Sequence, residues 1–151
     1  MSAVVIASER PDSPDARSLI AELESELEPL YPAESRYGFA VEKMIATGVA
    51  FFVLREGGVP AACGGFQVLD GYAELKRMFV RPAFRGKGYA VAMLERLSAE
   101  VRKRGLTVLR LETGMHQTAA IALYEKEGFK RVPRFGAYRD DPLSRFFEKT
   151  L

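Results

Sequence analysis

Two glycines and two cations fall together in RGKG, Arg85 to Gly88, between an apolar run ending at Val80 and a helical pattern that opens near Ala90. A helix N-terminus presents free backbone N–H groups and a partial positive charge. Glycine lets that backbone approach a ligand closely, and Arg85 and Lys87 add full charges. The chemistry that suits this arrangement is binding of a phosphate or pyrophosphate. The competing reading is a tight strand-to-helix turn whose cations are solvated. A P-loop does not fit, because Gly88 follows Lys87 where Ser or Thr is needed, and no glycine stands five positions before Gly86. A dinucleotide fingerprint is incomplete in GKGYAV, which lacks the third glycine and follows hairpin strands.

Other reactive residue types are sparse. His116 is the only histidine and has no Cys, His or Asp cluster around it, so no metal is expected. Cys63 is the only cysteine and cannot form an internal disulfide, which fits a reducing, cytoplasmic setting. Beside Gly64 and Gly65 it reads as a small buried side chain rather than a nucleophile. The 151 residues are expected to form one domain with one good core. A net charge of +2 gives no reason to expect nucleic-acid binding. The start MSAVVIASERPD is not a signal peptide pattern. No apolar run approaches the ~18 residues of a membrane span.

The elements that must position the loop follow from periodicity. Ala3 to Ala7 read as a strand. SPDARSLIAELESELEPLYP then places Ser13 at an N-cap, Pro14 at the first helical position and Leu19, Leu23, Leu27 and Leu30 at helical spacing, stopped by Pro29 and Pro32. AVEKMIATG is a second, short helix. Val49 to Arg55, Pro60 to Leu69 and Tyr72 to Val80 are three strands divided by EGG and DG turns. After the loop, Ala90, Met93, Leu94, Leu97 and Val101 share a helix face that ends at RKRG. TVLRLET is a strand, QTAAIALYEKEG a helix, and FKRV and SRFFEKTL short closing strands. The order β-α-α-β-β-β-α-β-α-β-β predicts a mixed, mostly antiparallel sheet with at least one parallel pair, flanked by about four helices.

RGKGYA fits [Q/R]-x-x-G-x-[G/A], and ELKRMFVRP precedes it while QTAAIALYEKEGFKRV follows. From about Gly64 to Val132 the chain resembles the GNAT superfamily of acyl-coenzyme A N-acyltransferases. The resemblance implies the mixed α/β GNAT fold. It also implies acetyl-CoA as co-substrate, with its pyrophosphate on the backbone N–H groups of Arg85, Gly86, Lys87, Gly88, Tyr89 and Ala90. The pantetheine arm would pair with Met78, Phe79 and Val80 in the manner of an added strand, in a slot where strands four and five splay apart. Gln117 stands where relatives commonly carry Asn. It keeps the amide but is longer by one methylene, and would face the same arm.

The implied activity is transfer of an acetyl group to a small-molecule amine by direct attack in a ternary complex. A base must take the amine proton and a donor must face the thioester oxygen. The leaving thiolate needs a proton or other stabilisation. Tyr124, in ALYEKEGF, holds the family's place for the acid, with a packing role as the alternative. Glu74 is the favoured base, with Glu112 second and a water relay third. Either carboxylate could instead pair with Lys76 or Arg110. A backbone N–H near Met78 would meet the oxygen. The acceptor would lie against EPLYPAESRYGF and PRFGAYRDDPLSRFF, where Tyr31, Arg36, Tyr37, Tyr138 and Arg139 suit a carboxylate or a ring. The closing YRDDPLSRFFEK also resembles a bacterial branch labelled as acetylating small indole acids. A non-catalytic acyl-CoA-binding or sensing module would share the loop without the chemistry. A homodimer is one assembly compatible with either reading.

Overall fold

The computed structural model describes residues 3–37 and 39–151, which leaves Gly38 of the EPLYPAESRYGF stretch outside. In chain order the elements are β1 (Val4–Ser8), α1 (Pro14–Leu27), α2 (Val41–Ala46), β2 (Ala50–Glu56), β3 (Val59–Leu69) and β4 (Tyr72–Val80). They continue with α3 (Tyr89–Lys103), β5 (Val108–Gly114), α4 (Thr118–Lys126), β6 (Lys130–Arg131) and β7 (Ser144–Thr150). Single 3-10 turns at Ala33–Ser35 and Pro82–Phe84 add to the expected set.

Local chemistry sets the boundaries. Ser13 accepts the Ala16 N–H at 3.1 Å, with Pro14 opening α1 as the sequence predicts. Gly105, at φ 76°, donates to the Arg102 carbonyl and closes α3 behind Arg102 and Lys103.

The strands form one sheet in the order β1-β2-β3-β4-β5-β7-β6. Every pair is antiparallel except β4–β5, as the helix crossover between them requires. β7 enters between β5 and β6, so the last long strand is interior and the short β6 caps the edge. Two apolar layers cover the sheet. One packs Leu54, Phe66, Leu75, Met93, Leu97 and Phe147 under α3 and α4. The other packs Leu19, Leu23, Met44, Phe51, Val53 and Phe79 under α1 and α2.

Two irregularities shape the centre. β4 and β5 are paired only at Ala73–Leu109 and Glu74–Arg110, after which the strands part. The expected splay is therefore present. β4 also carries a bulge: Cys63 pairs with Phe79 but Gly65 with Lys76, so Arg77 and Met78 together oppose Gly64. Arg77 takes a left-handed φ of 57° there. An extra residue shifts the strand's alternation. Ala73 and Leu75 face the α3 layer before the bulge, and Met78 and Val80 face it after, while Phe79 joins the α1 layer.

Candidate active site

The splay opens a groove of about 620 Å³ between α1, the end of β4, the loop into α3, and α4. Met78, Phe79, Val80, Arg85, Gly86, Gly88, Tyr89, Ala90 and Gln117 all line it. Phe79 has its ring in the α1 core, so its backbone is the part that serves the groove. Gly86 and Gly88 have φ values of 81° and 80°, a region open to glycine at little cost. Among the described residues, no atom beyond the adjoining chain lies within 4 Å of where a Cβ would stand at either position. Lys87 is the exception among the expected cofactor residues. It is absent from the groove wall, and its Nζ lies 2.8 Å from Glu56, which also accepts from the Tyr89 hydroxyl. Arg85 bonds Glu26 at 2.5 Å and the Val80 carbonyl at 3.0 Å, which ties the loop to α1 and β4.

Gln117 is anchored at the end of β5. Its Oε1 accepts from the Gly114 N–H at 3.0 Å and from the Thr113 hydroxyl at 3.1 Å. A backbone N–H can only donate, so the oxygen must face it, and the amide nitrogen remains as a donor.

A second, smaller cavity of about 110 Å³ lies on the α1 side of the sheet. Tyr31, Arg36, Tyr37 and Tyr138 line it, together with Phe39, Lys76 and Glu112. The two spaces share Leu23, Leu27, Met78, Gln117 and Tyr124. Tyr31 is locked: its hydroxyl accepts the His116 N–H at 3.0 Å, and a Cβ at Gly114 would fall within its ring. The Tyr37 hydroxyl donates to Asp141 at 2.8 Å, and its ring meets that of Tyr138 edge to face at 5.3 Å. His116 lines the groove but not this cavity.

The two carboxylates considered for the base are placed differently. Glu74 is 4% exposed and does not line the cavity. It pairs with Lys76 at 3.0 Å and accepts from the Tyr138 hydroxyl. Lys76 sits 4.4 Å above the Phe39 ring. Glu112 lines the cavity and accepts from Ser144 at 2.7 Å. Burial, opposed by that hydrogen bond and reinforced by nearby Glu74, pushes its carboxyl up to about 7. Arg110 pairs with Glu148, not with Glu112.

Tyr124 is both packed and placed. Its ring meets Phe129 and Phe147, while the residue forms part of the wall common to groove and cavity. Burial raises its hydroxyl further above the ordinary tyrosine range, so it is protonated at neutral pH and able to donate. Cys63 is buried, with its thiol near the Arg77 carbonyl and its pKa pushed up to about 12 by burial, which removes it as a nucleophile.

Sequence reasoning missed Arg77. Its side chain is 7% exposed, pairs with Glu24 of α1 and donates to the Phe39 carbonyl at 3.2 Å. The signal was Gly64-Gly65 inside a strand, since glycine there marks a bulge or a close approach. A Cβ at Gly64 would stand 2.6 Å from the Met78 sulfur.

An IAA acetyltransferase of Azospirillum brasilense is 42% identical over 153 aligned residues that cover all of both chains. A solved Klebsiella pneumoniae protein, assigned as an acyl-CoA N-acyltransferase, is 34% identical, with a TM-score of 0.84 over 98% of this chain and 97% of its own. The PaiA N-acetyltransferase of Thermoplasma acidophilum, solved with coenzyme A, shares the fold at 17% identity, with a TM-score of 0.77 over 99% of each chain. The sequence model of the acetyltransferase (GNAT) family matches residues 16–129, and the chain belongs to that family.

Proposed function

We propose that the protein moves an acetyl group from acetyl-CoA to the amine of a small molecule in a ternary complex. The observation that carries this reading is the junction at Met78, Gln117 and Tyr124 between a groove walled by backbone donors and a cavity walled by a carboxylate. The helix mouth from Gly86 to Ala90 would hold the pyrophosphate, since the Arg85 N–H already donates to the Pro82 carbonyl. The edge of β4 freed by the splay would pair with the pantetheine arm. Glu112 takes the amine proton, directly or through one water; its raised pKa suits a base working near neutrality. The amine nitrogen attacks the thioester carbon, the C–N bond forms and the C–S bond breaks. Tyr124 gives its proton to the departing thiolate. Both substrates are held together, so no covalent enzyme intermediate is needed.

Thermal melts with acetyl-CoA and with free CoA test the binding half. A ligand at a hundredfold excess over its Kd should stabilise the fold by about 3 kcal/mol. Gly88→Leu should remove that shift, because its side chain projects into space that the ligand needs. The substitution itself costs about 1–2 kcal/mol for the left-handed backbone, so the protein should still melt cooperatively. No shift for the parent protein at millimolar ligand would defeat the reading.

Turnover over an amine panel tests the chemical half and separates an enzyme from a sensing module. Tyr124→Phe keeps the ring and its packing. It should slow turnover ~10²-fold while leaving acetyl-CoA affinity intact. Unchanged turnover with a lowered melting temperature would make Tyr124 a packing residue.

A further inference from the structure

Among the described residues, the Nε atoms of Arg36 and Arg77 are buried without a hydrogen-bond partner, and both residues line the smaller cavity. Buried N–H groups are nearly always paired, so both guanidinium groups are short of partners in the wall of a cavity whose ligand would meet their outer nitrogens. Charge then separates the two. Arg77 has Glu24 as counter-ion, and Lys76 has Glu74. Arg36 has Glu28, which is 3.9 Å away, 64% exposed and outside the cavity wall. A pair of that kind contributes little. Arg36 is therefore the cation of the wall whose charge is least compensated. Its planar fork suits a carboxylate, which can take the two outer Nη groups together.

We propose that the acceptor is an amino carboxylate of amino-acid size, with its carboxylate held by Arg36 and its amine directed to Glu112. The inference rests on the transferase reading above and names its substrate class. Tyr31, Tyr37 and Phe39 supply flat walls for the body of such a molecule. The cavity's volume of about 110 Å³ favours a compact body over a polypeptide segment.

The experiment titrates the protein, with and without CoA, using the standard L-α-amino acids, β-alanine and γ-aminobutyrate, each beside its carboxamide. Binding is read by tyrosine fluorescence and melting temperature, and acetyl transfer by CoA release. At least one amino acid should bind roughly 10- to 100-fold more tightly than its carboxamide, the range for a charge-assisted contact. Arg36→Gln should abolish that preference while leaving the carboxamide's affinity unchanged, and Arg36→Lys should restore part of it. In turnover the loss should fall on KM rather than kcat. Carboxamides that bind as well as the acids would overturn the proposal. So would a failure of every acid to bind the CoA-loaded protein, or a preference that survives in Arg36→Gln. Equal acetylation of acids and carboxamides would end this inference alone, whereas a protein that binds no acetyl-CoA would end the transferase reading itself.

Discussion

Glu112→Gln is expected to lower turnover ~10²–10⁴-fold, the range for loss of a general base. The parent rate should rise with pH through about 7, where the Glu112 carboxyl ionises, and the variant should lack that limb. Stability should move the opposite way. A carboxyl raised to about 7 by burial favours folding while it is protonated. That contribution is complete below its unfolded value near 4.5 and is lost as pH rises through about 7. Gln carries no charge to bury. The variant should therefore match the parent in melts at acid pH and exceed it at pH 8–9 by up to about 3 kcal/mol. A variant with the parent's pH profile would remove Glu112 from the base role and return attention to Glu74 or to a water chain.

Glu74→Gln should act on folding first. The substitution strips Lys76, whose side chain is 11% exposed, of its counter-ion. Removing one partner of a buried pair costs about 3–5 kcal/mol. Denaturant unfolding would measure it, with acetyl-CoA affinity of the folded fraction unchanged. The double variant Glu74→Gln with Lys76→Met should recover much of the loss, because an uncharged pair leaves no ion stranded. A loss below about 1 kcal/mol in the single variant would mean that the pair is solvated and Glu74 free for other work. The two substitutions thus tell the carboxylates apart: one costs rate with a gain in alkaline stability, the other costs stability by stranding a buried ammonium.

Much of this fold was legible in the chain. Ser13-Pro14 marked the start of α1, the EGG and DG turns separated the hairpin strands, and RGKG opened α3, because each depends on contacts within a few residues. The parallel β4–β5 pair followed from the helix between them. The insertion of β7 between β5 and β6 was not legible, since nothing local distinguishes an interior closing strand from an edge. The site was legible in its outline. The groove residues follow from a loop and a strand edge, but Lys87 turned to Glu56, a partner thirty-one positions away. The choice between Glu74 and Glu112 depends on which carboxylate meets a cation and which meets a cavity. That is set by Tyr138, which bonds Glu74, and by Ser144, which bonds Glu112, both brought in from far along the chain. Arg36 was nameable as a cation but not as the least compensated one, because compensation is a property of the assembled wall.

The bulge in β4 gives the strand two reading frames. Upstream of Arg77 one parity of residues belongs to the α3 layer, and downstream the other parity does. Loss of one residue between Lys76 and Met78 would merge the frames. Met78 and Val80 would then turn toward α1, and Phe79 would turn its ring into the groove. Replacing Leu75 or Val80 by another apolar residue changes packing locally, whereas changing the segment's length exchanges the two faces of the sheet at the point where they meet. The spacing from Glu74 to Val80 is thus constrained more tightly than the composition it carries.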